Sequence, residues 1–224
     1  MKIEKKSKIS EFGEVFTSEK EVNSMIELVK NELERIESRF LEPACGDGNF
    51  LSVVLTKKLE IVYKKYKKSL YEFEFKSLIA ISSIYGIEIQ EEHVDKCVFR
   101  LYEIWLDFYK KVAKDKIDKN LVKSIQYILK KNIVLGNALT YRNDLKNQPI
   151  LFSEWNKSRN NQIIESIFSF EYIVSDTKVD NNQISLFQNE LDFDEKIDAF
   201  IPKAIENYPP ISFKELYKNG EKQL

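Results

Sequence analysis

Apolar residues recur at helical spacing near the start of the chain, where Val22, Met25, Ile26, Val29, Leu33 and Ile36 fall on one stripe. Ser18 and Glu21 form a capping-box pattern ahead of that stripe. A short apolar run predicts a first strand over residues 39–42. Beyond a glycine-containing loop, Phe50, Leu51, Val54, Leu55, Leu59, Val62 and Tyr63 mark a second helix. Its outer side reads as basic, with Lys57, Lys58, Lys64, Lys65, Lys67 and Lys68. A second strand is expected over residues 84–89. A long helix follows, with Val94, Cys97, Val98, Leu101, Trp105, Phe108 and Val112 on one face. A shorter helix over residues 121–130 leads into a third strand at 133–135. Strands that alternate with helices predict an α/β fold with a parallel, doubly wound sheet.

The pattern changes after Asn143. Residues 149–155 and 168–174 read as extended, with a polar stretch between them, and 170–174 is the expected fourth core strand. The last residues are rich in Pro, Asn and Asp and carry only short apolar pieces. We therefore expect one domain over residues 1–175, including an N-terminal helical segment, and an irregular extension over 176–224 packed on it. The sheet is expected to be incomplete. A further strand–helix unit needs roughly 25 to 30 residues, and this tail, full of turn formers, does not supply the several units that a full doubly wound sheet requires.

Composition narrows the function classes. A length of 224 residues suits one α/β domain, and a net charge of −1 excludes the whole molecule as an electrostatic magnet for nucleic acid. Contact with DNA would need a local basic face; the lysines of the second helix are such a face, or simply a solvated one. No apolar run reaches bilayer-spanning length and the lysine-rich start lacks a signal-peptide core, so a cytoplasmic address is expected. The two cysteines, Cys45 and Cys97, are expected to be reduced and packed, with no metal site. His93, the only histidine, reads as surface or helix-end filler.

The chemistry concentrates in Phe40-Leu41-Glu42-Pro43-Ala44-Cys45-Gly46-Asp47-Gly48-Asn49-Phe50-Leu51. A strand ending in an acid, a proline turn, two glycines and a helix start together make a loop that holds a nucleotide-like ligand. Glycines let the backbone approach the ligand closely. The carboxylate disfavours a phosphate and suits a ligand with positive charge, and the Lys-Ser/Thr of a phosphate-binding loop is missing. S-adenosylmethionine, with its sulfonium and amino group, fits.

The same stretch resembles motif I of the N6-adenine DNA methyltransferases, Asp/Glu-Pro-Ala-Cys-Gly-x-Gly-x-Phe-Leu. Phe12-Gly13-Glu14-Val15-Phe16-Thr17 is similar to that family's N-terminal motif X, Ile84-Tyr85-Gly86-Ile87-Glu88-Ile89 to motif II, and Val134-Leu135-Gly136-Asn137-Ala138-Leu139 to motif III. The resemblance implies a Rossmann-like S-adenosylmethionine-dependent fold and a cofactor site built from Phe16, Thr17, Glu42, Pro43, Ala44, Gly46, Gly48, Glu88, Ile89, Asn137 and Ala138. In that site Glu42 serves the amino group and Glu88 the ribose hydroxyls. Asn137, where the family more often has Asp, serves the adenine amine. Phe16 has a second reading, as a hydrophobic staple for the helix that follows. Gly48→Asp is expected to abolish cofactor affinity and spare the fold.

The resemblance fails at the substrate half. The family places Asn/Asp-Pro-Pro-Tyr/Phe/Trp after its fourth strand, to hold and stack a flipped adenine. Here the corresponding stretch reads Ser175-Asp176-Thr177-Lys178, leaving Asp176 as the one weak catalytic candidate. Asn207-Tyr208-Pro209-Pro210 has the wrong order and no strand before it, and reads as a decoy. Two functions follow from the resemblance. One is a modification component of a restriction–modification system that reaches DNA through a partner, such as a specificity or restriction subunit. The other is an inactive, regulatory or interaction subunit.

Overall fold

A three-stranded parallel sheet carries the N-terminal half: β1 (Phe40–Glu42), β2 (Ile84–Glu88) and β3 (Ile133–Leu135), in spatial order β1-β2-β3. The computed structural model describes residues 19–175, 191–194 and 199–221. Phe16, Thr17 and Asp176 lie outside the described residues, as does the Ser18 cap. The register pairs Glu42 with Gly86 and Glu88 with Leu135, so β2 and β3 end together and β1 ends two residues earlier. β2 is buried along its whole length, as a central strand of a parallel sheet must be. The mixed α/β architecture with this parallel sheet is the methyltransferase-like fold class expected above.

Helices cover the sheet. The first stripe is not one helix but two, α1 (Glu19–Leu28) and α2 (Lys30–Leu33), because Val29 leaves helical geometry at φ −107°, ψ 14°. The second helix is α3 (Asn49–Tyr66), with Leu51, Val54, Leu55, Leu59 and Val62 fully buried. α4 (Leu70–Ser82) was not anticipated. Its signal is Ser69-Tyr71-Glu72 spacing: Ser69 caps the helix and its hydroxyl accepts from the Glu72 N–H. α5 (Glu91–Ala113) and α6 (Lys119–Asn132) follow the expected stripes, and the Asp118 carboxylate caps α6.

One member of the supposed lysine face belongs to the core. Lys58 is fully buried, whereas Lys57, Lys64, Lys65, Lys67 and Lys68 are exposed. Its ammonium donates to Ile36 O at 3.1 Å, to Ser38 O and to Ser83 Oγ at 2.6 Å, and lies 4.7 Å from the centre of the Phe40 ring. Three acceptors match the three donors of an ammonium group. Lys58 thereby ties the segment before β1 to the turn before β2, and burial pulls its pKa down to about 7.

The second half departs from expectation. Residues 170–174 are not a fourth core strand but part of α7 (Phe170–Ser175). The extended segments upstream pair with each other instead: β6 (Leu151–Lys157) and β7 (Gln162–Ser169) form an antiparallel hairpin from Leu151–Ser169 to Lys157–Ile163. Asn160 and Asn161 turn it at φ +55° and +56°, the left-handed geometry that asparagine tolerates. The chain then bends into α7 with Phe170 N–H donating to Ile150 O at 2.9 Å and its ring packed edge-on against Phe152 and Tyr141.

Short strands β4 (Arg142–Asn143) and β5 (Gln148–Pro149) form one ribbon, and β8 (Leu191–Asp194) and β9 (Ala199–Pro202) another. Further on, β10 (Glu206–Asn207) and β11 (Ile211–Ser212) both pair with β7, and α8 (Tyr217–Glu221) follows. Two buried polar clusters hold this last part. Glu165 accepts from Tyr127, Ser153 and Asn219, and Lys214 bridges the buried Glu74 at 2.6 Å and Asp118 at 3.0 Å. Asn207 and Tyr208 of the rearranged proline motif take part in this packing: Ser166 donates to Asn207 Oδ1, and the Tyr208 N–H donates to Glu165 O.

Lys58→Ala is expected to lower stability by ~3 kcal/mol, since it removes a buried alkyl stem and leaves Ser38 O without its donor. Urea unfolding measures it. Because the native pKa of Lys58 lies below its unfolded value of 10.5, the unfolded chain binds more protons between about 7 and 10.5. Its contribution to stability therefore rises with pH through that window, and Lys58→Met should flatten the rise.

Candidate functional site

The loop between β1 and α3 is built by hydrogen bonds to its neighbours. Cys45 N–H donates to Ile87 O at 3.0 Å, which lashes the loop to β2, and Gly48 N–H donates to Cys45 O at 2.9 Å. Gly46 and Gly48 adopt φ +53° and +86°, a region that costs other L-residues about 1 kcal/mol or more. The two glycines do different work. A side-chain carbon at Gly46 would meet nothing within 4 Å, whereas one at Gly48 would lie 2.6 Å from Cys97 Sγ. Gly46 borders open space and Gly48 borders the core. Gly86 is closed in the same way by Cys45, at 2.8 Å.

α5 fastens the loop from the other side. Arg100 forks onto Asp47, with Nη2 to Oδ2 at 2.8 Å, and also donates to Asn49 Oδ1. Sequence reasoning missed Arg100. Its signal is its position three residues after Cys97, on the helix face that carries the buried thiol. Cys45 and Cys97 are free, buried and in contact. Their mutual hydrogen bond, and then burial, push the Cys45 thiol far up. A thiol held protonated is no nucleophile, and packing is its work.

The two strand-end acids meet at this loop. Glu88, 7 % exposed, accepts from Gly46 N–H at 2.9 Å through Oε2 and from Gln90 N–H at 2.9 Å through Oε1. One carboxylate thus joins the glycine loop to the start of α5. His93 is not at the surface: it is buried, with Nδ1 3.9 Å from Glu88 Oε1. The α5 register carries it inward, four residues before Cys97. Glu42 ends β1 with its Oε2 buried and, among the described residues, without a hydrogen-bond partner. Burial lifts the Glu42 carboxyl to about 7. An acid in that state is poised for a cation or a donor, because burying an unpaired polar atom costs about 1–3 kcal/mol.

The remaining candidates surround this centre. Pro43 and Ala44 are exposed on the loop, and Ile89, beside Glu88, is 48 % exposed. Asn137 follows β3 in a turn of its own: Oδ1 accepts from Leu139 N–H at 2.9 Å and Nδ2 donates to Asp144 at 3.2 Å. Ala138 packs against the core. Gly46 and Glu88 are hydrogen-bonded, Glu42 and Glu88 both act on the Cys45 thiol between them, and Asn137 and Ala138 stand beyond the end of β3. Among the described residues no three His, Cys, Asp or Glu side chains gather to hold a metal ion, and no helix is long and apolar enough to cross a membrane.

A parallel sheet whose strand ends present a glycine loop and two acids defines the class: an α/β domain of the methyltransferase kind. The match to known families is specific. The model of the MmeI DNA-methyltransferase domain covers residues 16–162, more than half of the chain, and the protein belongs to that family. No curated protein and no solved structure matches the chain.

The glycines separate in a stability experiment. Gly46→Ala should cost about 1 kcal/mol, the left-handed penalty alone. Gly48→Ala should cost at least twice that, since its methyl also strikes Cys97. Adding Cys97→Ala should recover the difference for Gly48→Ala and leave Gly46→Ala unimproved, read by urea unfolding of the single and double variants. Gly48→Asp would therefore disturb the core as well as any ligand, and Gly46 is the cleaner probe.

Proposed function

We propose that the chain binds S-adenosylmethionine at the Gly46 loop and serves N6-adenine methylation of DNA, as a cytoplasmic modification component of a restriction–modification system. The observation that carries this reading is Glu42: a buried carboxylate oxygen without a partner among the described residues, on the strand that leads into the loop where Gly46 borders open space. The residues fit the cofactor. Glu42 pairs with its amino group, and Gly46 leaves room for the methionine portion, flanked by Pro43, Ala44 and Gly48. Glu88 uses one lone pair of each oxygen on Gly46 and Gln90, which leaves a second on each for the ribose hydroxyls. Ile89 offers an apolar cover for the adenine ring, next to Asn137 and Ala138. Phe16 and Thr17 lie within the family match but outside the described residues, and their part in the site rests on the resemblance to motif X alone.

When bound, S-adenosylmethionine supplies an electrophilic methyl group on a cationic sulfur. The chain's own residues bind and orient it; gripping the flipped adenine falls to a partner. Two features favour this division: residues 170–175 form α7 rather than a fourth strand, and the stretch Ser175-Asp176-Thr177-Lys178 lacks the proline pair and the aromatic ring, leaving Asp176 as a weak catalytic candidate. The same features favour the second reading, a regulatory or interaction subunit that binds the cofactor without turnover. DNA is reached through the partner.

Calorimetric titration with S-adenosylmethionine tests the site. Wild type should bind, and Gly46→Ala should bind at least about tenfold more weakly, a loss near 1.4 kcal/mol. Equal affinity of the two rules the site out. The pH dependence has a definite sign. A cationic ligand selects ionised Glu42, so affinity should rise as pH rises through about 7. In the free protein the raised pKa acts the other way: ionising Glu42 costs stability as pH climbs from 4.5 toward 7. Glu42→Gln should remove both dependences. Labelled-methyl transfer to DNA, with and without the product of the neighbouring gene, then separates the active reading from the regulatory one.

A further inference from the structure

The glycine loop is held from two sides, and the two holds differ in kind. Glu88 takes the Gly46 N–H, a main-chain contact. Asp47 is the one residue between the two left-handed glycines, so its side chain is the only one the turn itself offers. Arg100 takes hold of it. Nη2 donates to Asp47 Oδ2 at 2.8 Å, Nη1 reaches Oδ1 at 3.4 Å, and Nη1 also donates to Asn49 Oδ1. One guanidinium thus spans the turn and the first residue of α3.

α5 is a firm base for that hold. Trp105 and Tyr109 are fully buried and stacked at 4.9 Å. Trp105 donates to Ser77 Oγ at 3.0 Å and Tyr109 to Glu74 Oε1 at 2.7 Å, which seats the helix on α4 away from the loop. From that seat His93, Cys97 and Arg100, spaced by four and three residues, share one helix face. They meet Glu88, Gly48 and Asp47 in turn.

The effect of the pair is local. Its side chains are 36 % and 22 % exposed, and such pairs add little to global stability. A guanidinium fork does fix direction as well as distance. What it directs here is the turn from Gly46 to Gly48, which is open on the side where Gly46 borders space. Glu88 does not depend on it, because Gln90 N–H holds the other carboxylate oxygen at 2.9 Å. The motif leaves position 47 unspecified, so the family resemblance assigns no part to Asp47 or Arg100.

We propose that Arg100 is a positioning residue for the methionine end of the cofactor. Acting through Asp47, it holds the Gly46 turn in the shape that receives the amino-acid portion, and it leaves the nucleoside end to Glu88. This rests on the reading above that the loop binds S-adenosylmethionine, and it adds a residue that acts without touching the ligand.

The test titrates the full chain with three ligands: S-adenosylmethionine, S-adenosylhomocysteine, and methylthioadenosine, which keeps the nucleoside and lacks the amino-acid portion. Arg100→Met and Asp47→Ala should each weaken the first two about fivefold or more and leave methylthioadenosine unchanged. The double variant should bind no more weakly than either single one, since both break one contact. Arg100→Lys keeps the charge without the fork and should recover part of the loss. In the ligand-free protein, amide exchange at Gly46 should quicken in Arg100→Met, while that at Gln90, on the same carboxylate, should not. Melting temperatures should stay within about 4 °C of wild type, and Asp47→Ala carries the test if Arg100→Met does not fold. A loss of equal size for all three ligands, or for none, overturns the proposal and spares the cofactor site. So does lost affinity with unchanged Gly46 exchange, because Arg100 then acts on the ligand directly. A wild type that binds none of the three sinks the cofactor site and this proposal with it.

Discussion

The Glu88 carboxylate is the joint on which the strand-end architecture turns. It accepts one backbone N–H from the glycine loop after β1 and another from the start of α5, each at 2.9 Å. Charge-assisted bonds of this kind are stronger than neutral ones, and little solvent reaches them here. With Glu88 in place, the Gly46 amide has its partner and the loop can hold its left-handed turn. Arg100 then pins Asp47 from α5, and Gly48 settles on Cys97. Removing the carboxylate would orphan two amides at once and leave the loop with fewer ties to the sheet.

Glu42 is the counterpart, an acid that the fold does not satisfy. Among the described residues its buried oxygen has no partner, and its carboxyl is lifted to about 7 by burial. Two acids at adjacent strand ends thus have different surroundings: Glu88 accepts two backbone N–H groups, and Glu42 keeps one buried oxygen unmet. Buried polar groups in native structures are nearly always paired, so the β1 end is where the fold leaves an acceptor open.

The C-terminal part is held by polar contacts that are unusually deep. Glu165 sits among three neutral donors, and Lys214 spans Glu74 and Asp118. Breaking such clusters by removing one partner costs more than the cluster contributes, because the remaining charge is left buried. They commit β7 to partners on both sides, the β6 strand and the short β10 and β11. With its partners in that sheet, the hairpin stands apart from the parallel sheet, and among the described residues no strand pairs with the other edge of β1.

What the amino-acid order determined alone is local. The glycine loop, the acids that follow the first two strands, the stripes of α3, α5 and α6 and the alternation of strand with helix were all legible, because each is written in spacing over a few residues. So was the Asn160-Asn161 turn, although its meaning went unread, and so was the Ser69 cap of α4. Tertiary structure alone decided the rest. Lys58 differs from Lys57 only in which way its side chain points, and only the packing of the segment ahead of β1 against Ser83 supplies its three acceptors. His93 goes inward because α5 docks with that side against Glu88. Residues 170–174 carry strand-forming side chains, yet they fold as α7, with Phe170 seated against Phe152 and Tyr141. Local β propensity yields to the packing that a segment meets, and that packing is set by chain segments distant in sequence.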